Sequence, residues 1–192
     1  MNSRIRERLR SLPWERIREA TGDAREIPAA LLRLAEAVED VEVRRAYWSL
    51  DNHVVVQGSL SEAAYHVVPF LLELLADRSR ASSTALYDLL AEIALGYSPP
   101  SAPTVTREDG TAADLREACR ERIRSGLDIV RADLVAAETE PAVRHCALHV
   151  LMAVETDRTR LLDTLSRVPE TADDQLGEKV RSAIAGLAAK SG

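Results

Sequence analysis

The chain contains few aromatic residues and few cysteines. Aromatic side chains make up 4% of its 192 residues, and only one of them is phenylalanine. A core with so few aromatics must be packed from Leu, Ala, Val and Ile, of which Ala and Leu favour closely packed helices. The β-branched runs are too short for a large sheet. Cys119 and Cys146 show no C-x-x-C spacing, so we expect small buried side chains and no disulfide.

Long hydrophobic segments are also missing. No apolar run reaches the roughly 18 residues that a membrane-spanning helix requires. The first twenty residues, MNSRIRERLRSLPWERIREA, are charged throughout and lack the apolar core of a signal peptide. We therefore expect a cytoplasmic protein that does not contact a membrane.

Lysine occurs only at positions 179 and 190, and the net charge of the chain is −6. Residues 1–25 carry a charge of +3, so the remainder carries −9. An acidic body disfavours nucleic-acid binding, which requires neutralisation of phosphates, but it suits a basic protein partner. The arginines of residues 1–25 alternate with glutamates, which favours a solvated helix; a docking arm for an acidic partner is the alternative.

A 3.6-residue hydrophobic period runs through almost the whole sequence and predicts an all-α protein. We expect about nine to eleven helices, no strand, and a single domain. Within it, residues 1–25 form charged helices, 26–97 the first helical repeats, 98–111 a loop and 112–192 the C-terminal repeats. The predicted helices are 12–20, one that begins at Pro28, 41–57, one that ends at Ala76, 82–97, 112–138, 141–156, 159–168 and 172–189.

Several residues mark the ends and breaks of these helices. Gly58 should end the helix 41–57, and Ser59 with Glu62 matches a capping box for the next one. Pro69 lies inside that next helix and should kink it. Ser125-Gly126 divides the stretch 112–138 into two helices.

A Val-Arg dipeptide recurs along the chain. It precedes a small apolar run at Val143-Arg144 and again 37 residues later at Val180-Arg181, with a looser copy at Val43-Arg44. The pattern V-R-x-x-A-x-x-x-L at 143–151 resembles the first helix of a HEAT repeat, and such helix pairs repeat every 37 to 47 residues.

The block from Trp48 to Leu75 resembles short actinobacterial HEAT-repeat proteins more specifically. Those proteins carry an aromatic-rich helix, an HQG turn and the sequence VPFLxELL, which matches residues 68–75 here. The family's His before the Gln is Val56 in this chain, and the aromatic after the turn is Ser61. The resemblance implies an α-solenoid, but it implies little about activity because the family is largely uncharacterised.

The same block holds the candidate site, because its polar residues stand where a purely structural helix pair would carry aliphatic or charged ones. One interpretation is a binding pocket in which imidazoles, an amide and a phenol converge beside a tryptophan. The other, which we favour, is a buried hydrogen-bond network that stabilises the turn. The candidate binding residues are Trp48, Asp51, Asn52, His53, Gln57, Tyr65 and His66.

Two further pairs have spacings that chemistry could use. His145 and His149 are four residues apart, as two metal ligands on a helix can be, but no Glu follows His145 and both lie off the apolar stripe. Asp88 and Glu92 form a carboxylate pair that also lies off the apolar stripe of its helix. We expect both pairs to be solvated, and we predict no metal, no cofactor and no catalytic residue.

These observations favour a non-enzymatic protein-binding module that uses the concave face of a small HEAT-like solenoid to hold a basic partner. One version is an immunity- or regulator-like protein that blocks a toxin. The alternative is an enzyme or small-molecule-binding protein with its pocket at Trp48, His53, Gln57, Tyr65 and His66. A scaffold or homodimer subunit is a third hypothesis, so the oligomeric state is left open.

Overall fold

The computed structural model describes residues 3–19, 22–77, 83–169 and 174–189. Within these ranges it contains ten α-helices and two small antiparallel hairpins, so the predicted all-α class is confirmed. The helices are α1 (Ser3–Ser11), α2 (Ile27–Glu36), α3 (Asp40–Val54), α4 (Glu62–Ala76), α5 (Ser83–Leu95), α6 (Leu115–Arg124), α7 (Leu127–Val135), α8 (Pro141–Val154), α9 (Arg158–Ser166) and α10 (Asp174–Ala189). The strands are β1 (Val55–Val56), β2 (Ser59–Leu60), β3 (Thr104–Thr106) and β4 (Ala112–Asp114).

Helices that follow one another in the chain pack together. Helix α2 contacts α3, α4 contacts α5, α7 contacts α8, and α9 contacts α10. The second members, α3, α5, α8 and α10, contact one another in that order, and we call them the front layer. The first members, α2, α4, α7 and α9, also contact one another in order and form the back layer, while α6 packs against both α4 and α5.

Helix α4 lies at the centre of this arrangement. It contacts α2, α3, α5, α6 and α7, and its buried residues lie on every side of the helix, as expected for an element that is packed all round. Pro69 lies inside α4, as predicted. A single hydrophobic core dominated by Leu, Ala and Val extends from α1 to α10.

The N-terminal segment differs from its prediction. The helix expected over 12–20 is wrong: α1 ends at Ser11, and only a short 3-10 turn, Trp14–Arg16, follows Pro13. A proline disfavours the α conformation in the residue that precedes it. Pro13 therefore separates α1 from the 3-10 turn. Ala20 lies outside the described residues.

Helix α1 is also not a free arm. Its Ile5 and Leu9 are buried, and Arg6 and Arg8 form ion pairs with residues of α2 and α4. Trp14 is buried after it, and its indole Nε1 donates a hydrogen bond to the carbonyl of Leu9 at 2.6 Å. The described part of this segment is therefore committed to the core, against the hypothesis of a docking arm.

The connection between α3 and α4 corrects two predictions. Helix α3 ends at Val54 instead of residue 57, and β1 and β2 form a hairpin that was not expected. Gln57 and Gly58 form its two-residue turn, with φ angles of 52° and 78°. Two positive φ angles are typical of a type I′ turn, whose twist matches the flanking strands.

The predicted capping box is also wrong. Ser59 lies in β2, and the residue before α4 is Ser61, whose hydroxyl donates to the carbonyl of His53 at 2.8 Å without capping the helix. Glu62 instead pairs with Arg18, whose Nε lies 3.2 Å from its carboxylate. The polar side chains at this junction therefore tie α4 to α3 and to the N-terminal segment.

The loop predicted at 98–111 contains no helix, as expected, but it forms the hairpin β3–β4. Val105 of β3 is buried, and β3 contacts α4 and α6. Asp114 caps α6 by accepting a hydrogen bond from the backbone of Glu117. The predicted division at Ser125-Gly126 is confirmed, and a Cβ at Gly126 would approach Leu72 within 2.5 Å, so α4 and this break are in close contact.

Candidate binding groove

The seven candidate residues do not converge on one pocket. Trp48 and Asn52 are exposed on α3, and Asp51 lies towards Glu92 of α5, whereas Tyr65 and His66 face the N-terminal segment and α6. Asn52 is exposed and donates to the carbonyl of Trp48 in its own helix. Gln57 is exposed in the hairpin turn, where its role is conformational. The binding role of these residues stays a prediction.

His53 belongs to the junction between α3 and α4. Its Nδ1 lies 2.5 Å from a carboxylate oxygen of Glu19, and the Glu19 side chain is only 6% exposed. Its backbone carbonyl accepts the hydrogen bond from Ser61. These contacts match the structural interpretation of the sequence, in which polar groups at the turn are satisfied by one another.

Tyr65 and His66 lie beneath α6. The guanidinium carbon of Arg122 is 3.7 Å from the centre of the buried Tyr65 ring, and the ring of His66 meets that of Trp14 edge-on at 6.5 Å. Burial, followed by the positive charge of Arg122, lowers the pKa of His66. A neutral imidazole in this position is suited to packing.

Trp48 instead lies in a surface groove of the front layer. The groove has a volume of about 640 Å³ and runs between α3, α5 and the start of α8. Trp48 is 55% exposed. The half-buried ring of Tyr47 meets the indole edge-on, with ring centres 5.3 Å apart. The groove is lined by Val43, Arg44, Tyr47, Trp48, Ala85 and Asp88, together with Asp40, Thr84 and Glu140.

Carboxylates surround Tyr47. Burial raises the pKa of Tyr47 well above its ordinary value, and the negative charges of Asp51, Glu92 and Asp88 raise it further, in that order. The pKa of Asp51 is also raised, first by burial and then by Glu92. The phenol and the three carboxylates therefore share one negative region at the contact between α3 and α5.

These carboxylates lack ion-pair partners among the described residues, although Arg44 also lines the groove. Within the described part of the chain, no arginine or lysine forms an ion pair with Asp51, Asp88, Glu92 or Glu140. Asp88 accepts a hydrogen bond from the thiol of Cys146 at 3.0 Å. That thiol is half-buried, and burial together with Asp88 raises its pKa to about 12, so it stays protonated.

The histidine pair lies on α8, near Lys179 of α10. His145 Nδ1 and His149 Nε2 each lie 3.4 Å from the ammonium of Lys179 on α10. A lysine in contact with both rings is incompatible with a shared metal ion. Among the described residues there is no group of three or more His, Cys, Asp or Glu that could hold one.

The sequence alone does not associate Tyr47 with Asp88 and Glu92. Asp88 and Glu92 are exposed, as predicted, yet the packing of α5 on α3 brings them near Asp51. Tyr47 was not among the candidate residues. Its spacing of four from Asp51 matches that of Asp88 and Glu92, but only the packing of the two helices shows that these pairs face each other.

No described helix has the length and apolar character needed to cross a membrane. Comparison with protein-family models finds no match. Searches of curated proteins and of solved structures find no significantly similar protein either.

Proposed function

We propose that this protein is a HEAT-like α-solenoid that binds a basic protein partner on its front layer. The helix pairs α2/α3, α4/α5, α7/α8 and α9/α10, stacked in two layers, support the architecture. The Val-Arg dipeptides give it weaker support: all three fall on front-layer helices, α3, α8 and α10, but these are the second members of their pairs, whereas the HEAT pattern places the dipeptide on the first.

The arginines of the three Val-Arg dipeptides differ in burial. Arg144 on α8 is 3% exposed, whereas Arg44 and Arg181 are exposed. Arg44 is available to line the groove, and Arg144 belongs to the interior. The Val-Arg repeat therefore supports the proposed architecture, and the proposed binding is supported by the groove.

The observation that carries the binding proposal is the exposed Trp48 in a groove beside carboxylates that have no ion-pair partner among the described residues. Large aromatic side chains are enriched at the centres of protein interfaces, where they anchor binding. Like charges that are held together destabilise the free protein, and a cationic partner relieves this repulsion. An immunity- or regulator-like protein that covers a basic target is one form of this proposal.

The alternative of a small-molecule pocket at Trp48, His53, Gln57, Tyr65 and His66 gains no specific support. These residues take separate partners at the groove, the α3–α4 junction and the α6 contact. A pocket ligand would need their polar groups to point into a common cavity.

The test is affinity capture from the source cell with the wild-type chain, Trp48→Ala and Val38→Ala. Val38 is a matched control, because it is 70% exposed and lies outside the groove. We expect a basic protein that binds the wild type and Val38→Ala, is lost with Trp48→Ala, and dissociates as salt is raised. Capture that is equal for all three chains, or a captured partner that is acidic, would contradict the proposal.

A further inference from the structure

The groove offers two kinds of surface to a cation at the same place. One is the aromatic corner made by Trp48 and Tyr47, whose edge-on contact leaves more than half of the Trp48 side chain open to solvent. The other is the group of carboxylates around Tyr47, of which Asp88 also lines the groove. Arg44 also lines the groove but forms no ion pair with these carboxylates, which have none among the described residues. A cation at the corner would therefore meet an aromatic face and unpaired negative charge together.

We propose that the group bound in this groove is an arginine side chain of the partner. The inference rests on the proposed function and specifies its chemistry. The arginine stem and guanidinium lie against Trp48, and the guanidinium N–H groups donate to carboxylates at the contact between α3 and α5. Asp88 supplies one acceptor within the groove, while Asp51 and Glu92 supply the negative potential at its Tyr47 end.

The arrangement favours arginine over lysine for two physical reasons. A guanidinium is planar, is weakly hydrated and stacks on an indole, whereas an ammonium is a compact and strongly hydrated charge. Its five donors can also reach more than one carboxylate at once. The protein already shows the same chemistry internally, where Arg122 lies over the Tyr65 ring and pairs with Glu108 at 2.8 Å.

The test uses the full chain with ¹⁵N-labelled tryptophan and three capped peptides: penta-arginine, penta-lysine and penta-citrulline. Trp14 is an internal control, because its indole N–H is buried and hydrogen-bonded to Leu9. We expect penta-arginine to shift the Trp48 indole signal saturably while that of Trp14 stays in place. Penta-lysine should bind roughly tenfold more weakly, and the neutral penta-citrulline should produce no shift.

Single substitutions show whether penta-arginine binds at the groove or binds unspecifically to the acidic surface of the protein. Glu92→Gln and Asp88→Asn should each weaken penta-arginine binding several-fold, whereas Asp163→Asn should not. Asp163 is a matched control for charge, because it is an exposed carboxylate on α9 of the back layer. An equal loss with Asp163→Asn, equal affinities for arginine and lysine, or no Trp48 shift would each overturn the inference.

The two proposals can fail separately. If a captured basic partner depends on Trp48 but penta-arginine does not bind, the proposed function stands and the arginine inference falls. If penta-arginine binds at Trp48 but no partner is captured, the groove is a guanidinium site and the proposed function falls.

Discussion

Two regions of this protein are built from the same residue types and put them in opposite environments. At the α6 contact, which we call the clasp, Trp14 and Tyr65 are buried and Arg122 lies over Tyr65. In the groove, Trp48 is exposed and Tyr47 is surrounded by carboxylates. Each region has a tryptophan, a tyrosine and charged side chains, but among the described residues only the clasp joins opposite charges in ion pairs.

The difference lies in how the charges are paired. The clasp holds the hairpin β3–β4 onto α6 through Arg107 with Glu121 at 2.5 Å and Arg122 with Glu108 at 2.8 Å. The groove carboxylates have no such counterions within the described residues. The ion pairs of the clasp stabilise the fold. The unpaired carboxylates of the groove repel one another, and a cationic partner would relieve that repulsion on binding.

The two tryptophans give the largest expected contrast. Trp14→Ala should lower the free energy of unfolding by about 3–5 kcal/mol, because it removes a buried ring that packs against His66 and Phe70. Trp48→Ala should lower it by about 1 kcal/mol or less, because that ring is already largely solvated. Urea unfolding measures both, and comparable losses would remove the distinction between the two regions.

Arg122 tests the clasp itself. Arg122→Ala should lower the free energy of unfolding by about 1–2 kcal/mol, because its side chain is only 18% exposed and loses the contact with Tyr65. Arg116→Ala is the control on the same helix, since Arg116 is exposed, and it should have little effect. Equal effects of the two substitutions in urea unfolding would show that the Tyr65 contact contributes nothing.

Neutralising one carboxylate should change stability with opposite sign in the two regions. Glu92→Gln should raise the free energy of unfolding by about 0.2–1 kcal/mol, because it relieves repulsion with Asp51. Glu121→Gln should lower it by a similar amount, because it removes the partner of Arg107. The prediction is contradicted if both substitutions shift the urea midpoint in the same direction.

Lowering the pH should produce the smallest difference between the two regions, and it should change the stability contributions of Asp51 and His66 in opposite directions. Asp51 has a raised pKa, so it binds a proton more readily in the folded state than in the unfolded state. Its contribution to the free energy of unfolding therefore becomes more favourable as pH falls towards 3.8, the ordinary pKa of the carboxyl. His66 has a lowered pKa, so the unfolded chain binds its proton first and the native chain loses stability as pH falls below 6.5.

Two variants isolate these effects in urea unfolding at a series of pH values. The stabilisation by Asp51→Asn should be greatest at neutral pH and shrink as pH falls. The free energy of unfolding of His66→Gln should rise relative to that of the wild type as pH falls below 6.5, the ordinary pKa of the imidazole. Differences that are independent of pH would contradict both assignments.

Helix boundaries could be predicted from the sequence where local chemistry sets them. Pro28 and Pro141 lie in the first turns of α2 and α8, and Ser125-Gly126 separates α6 from α7, as expected. The hairpin at Gln57-Gly58 was missed because helical periodicity continued past it. The β-branched run Val54-Val55-Val56 was the local indication of a strand.

The groove could not be predicted in the same way, because it depends on which helices meet. Trp48 and Asp51 were identified as candidates by their residue types. Asp88 and Glu92 are separated from them by about forty residues, and only the packing of α5 on α3 brings the four together. His53 and Tyr65 looked like site residues for the same reason, yet the structure gives them the partners Glu19 and Arg122.

The most direct test of the account is the melting temperature of the wild type and of the double variant Asp51→Asn/Glu92→Gln, each with and without penta-arginine. The account predicts that the double variant melts higher than the wild type when both are free. Penta-arginine should then raise the melting temperature of the wild type and leave that of the double variant nearly unchanged. A free double variant that melts lower, or an equal increase for both chains, would contradict the claim that the groove carries unneutralised charge for a cationic partner.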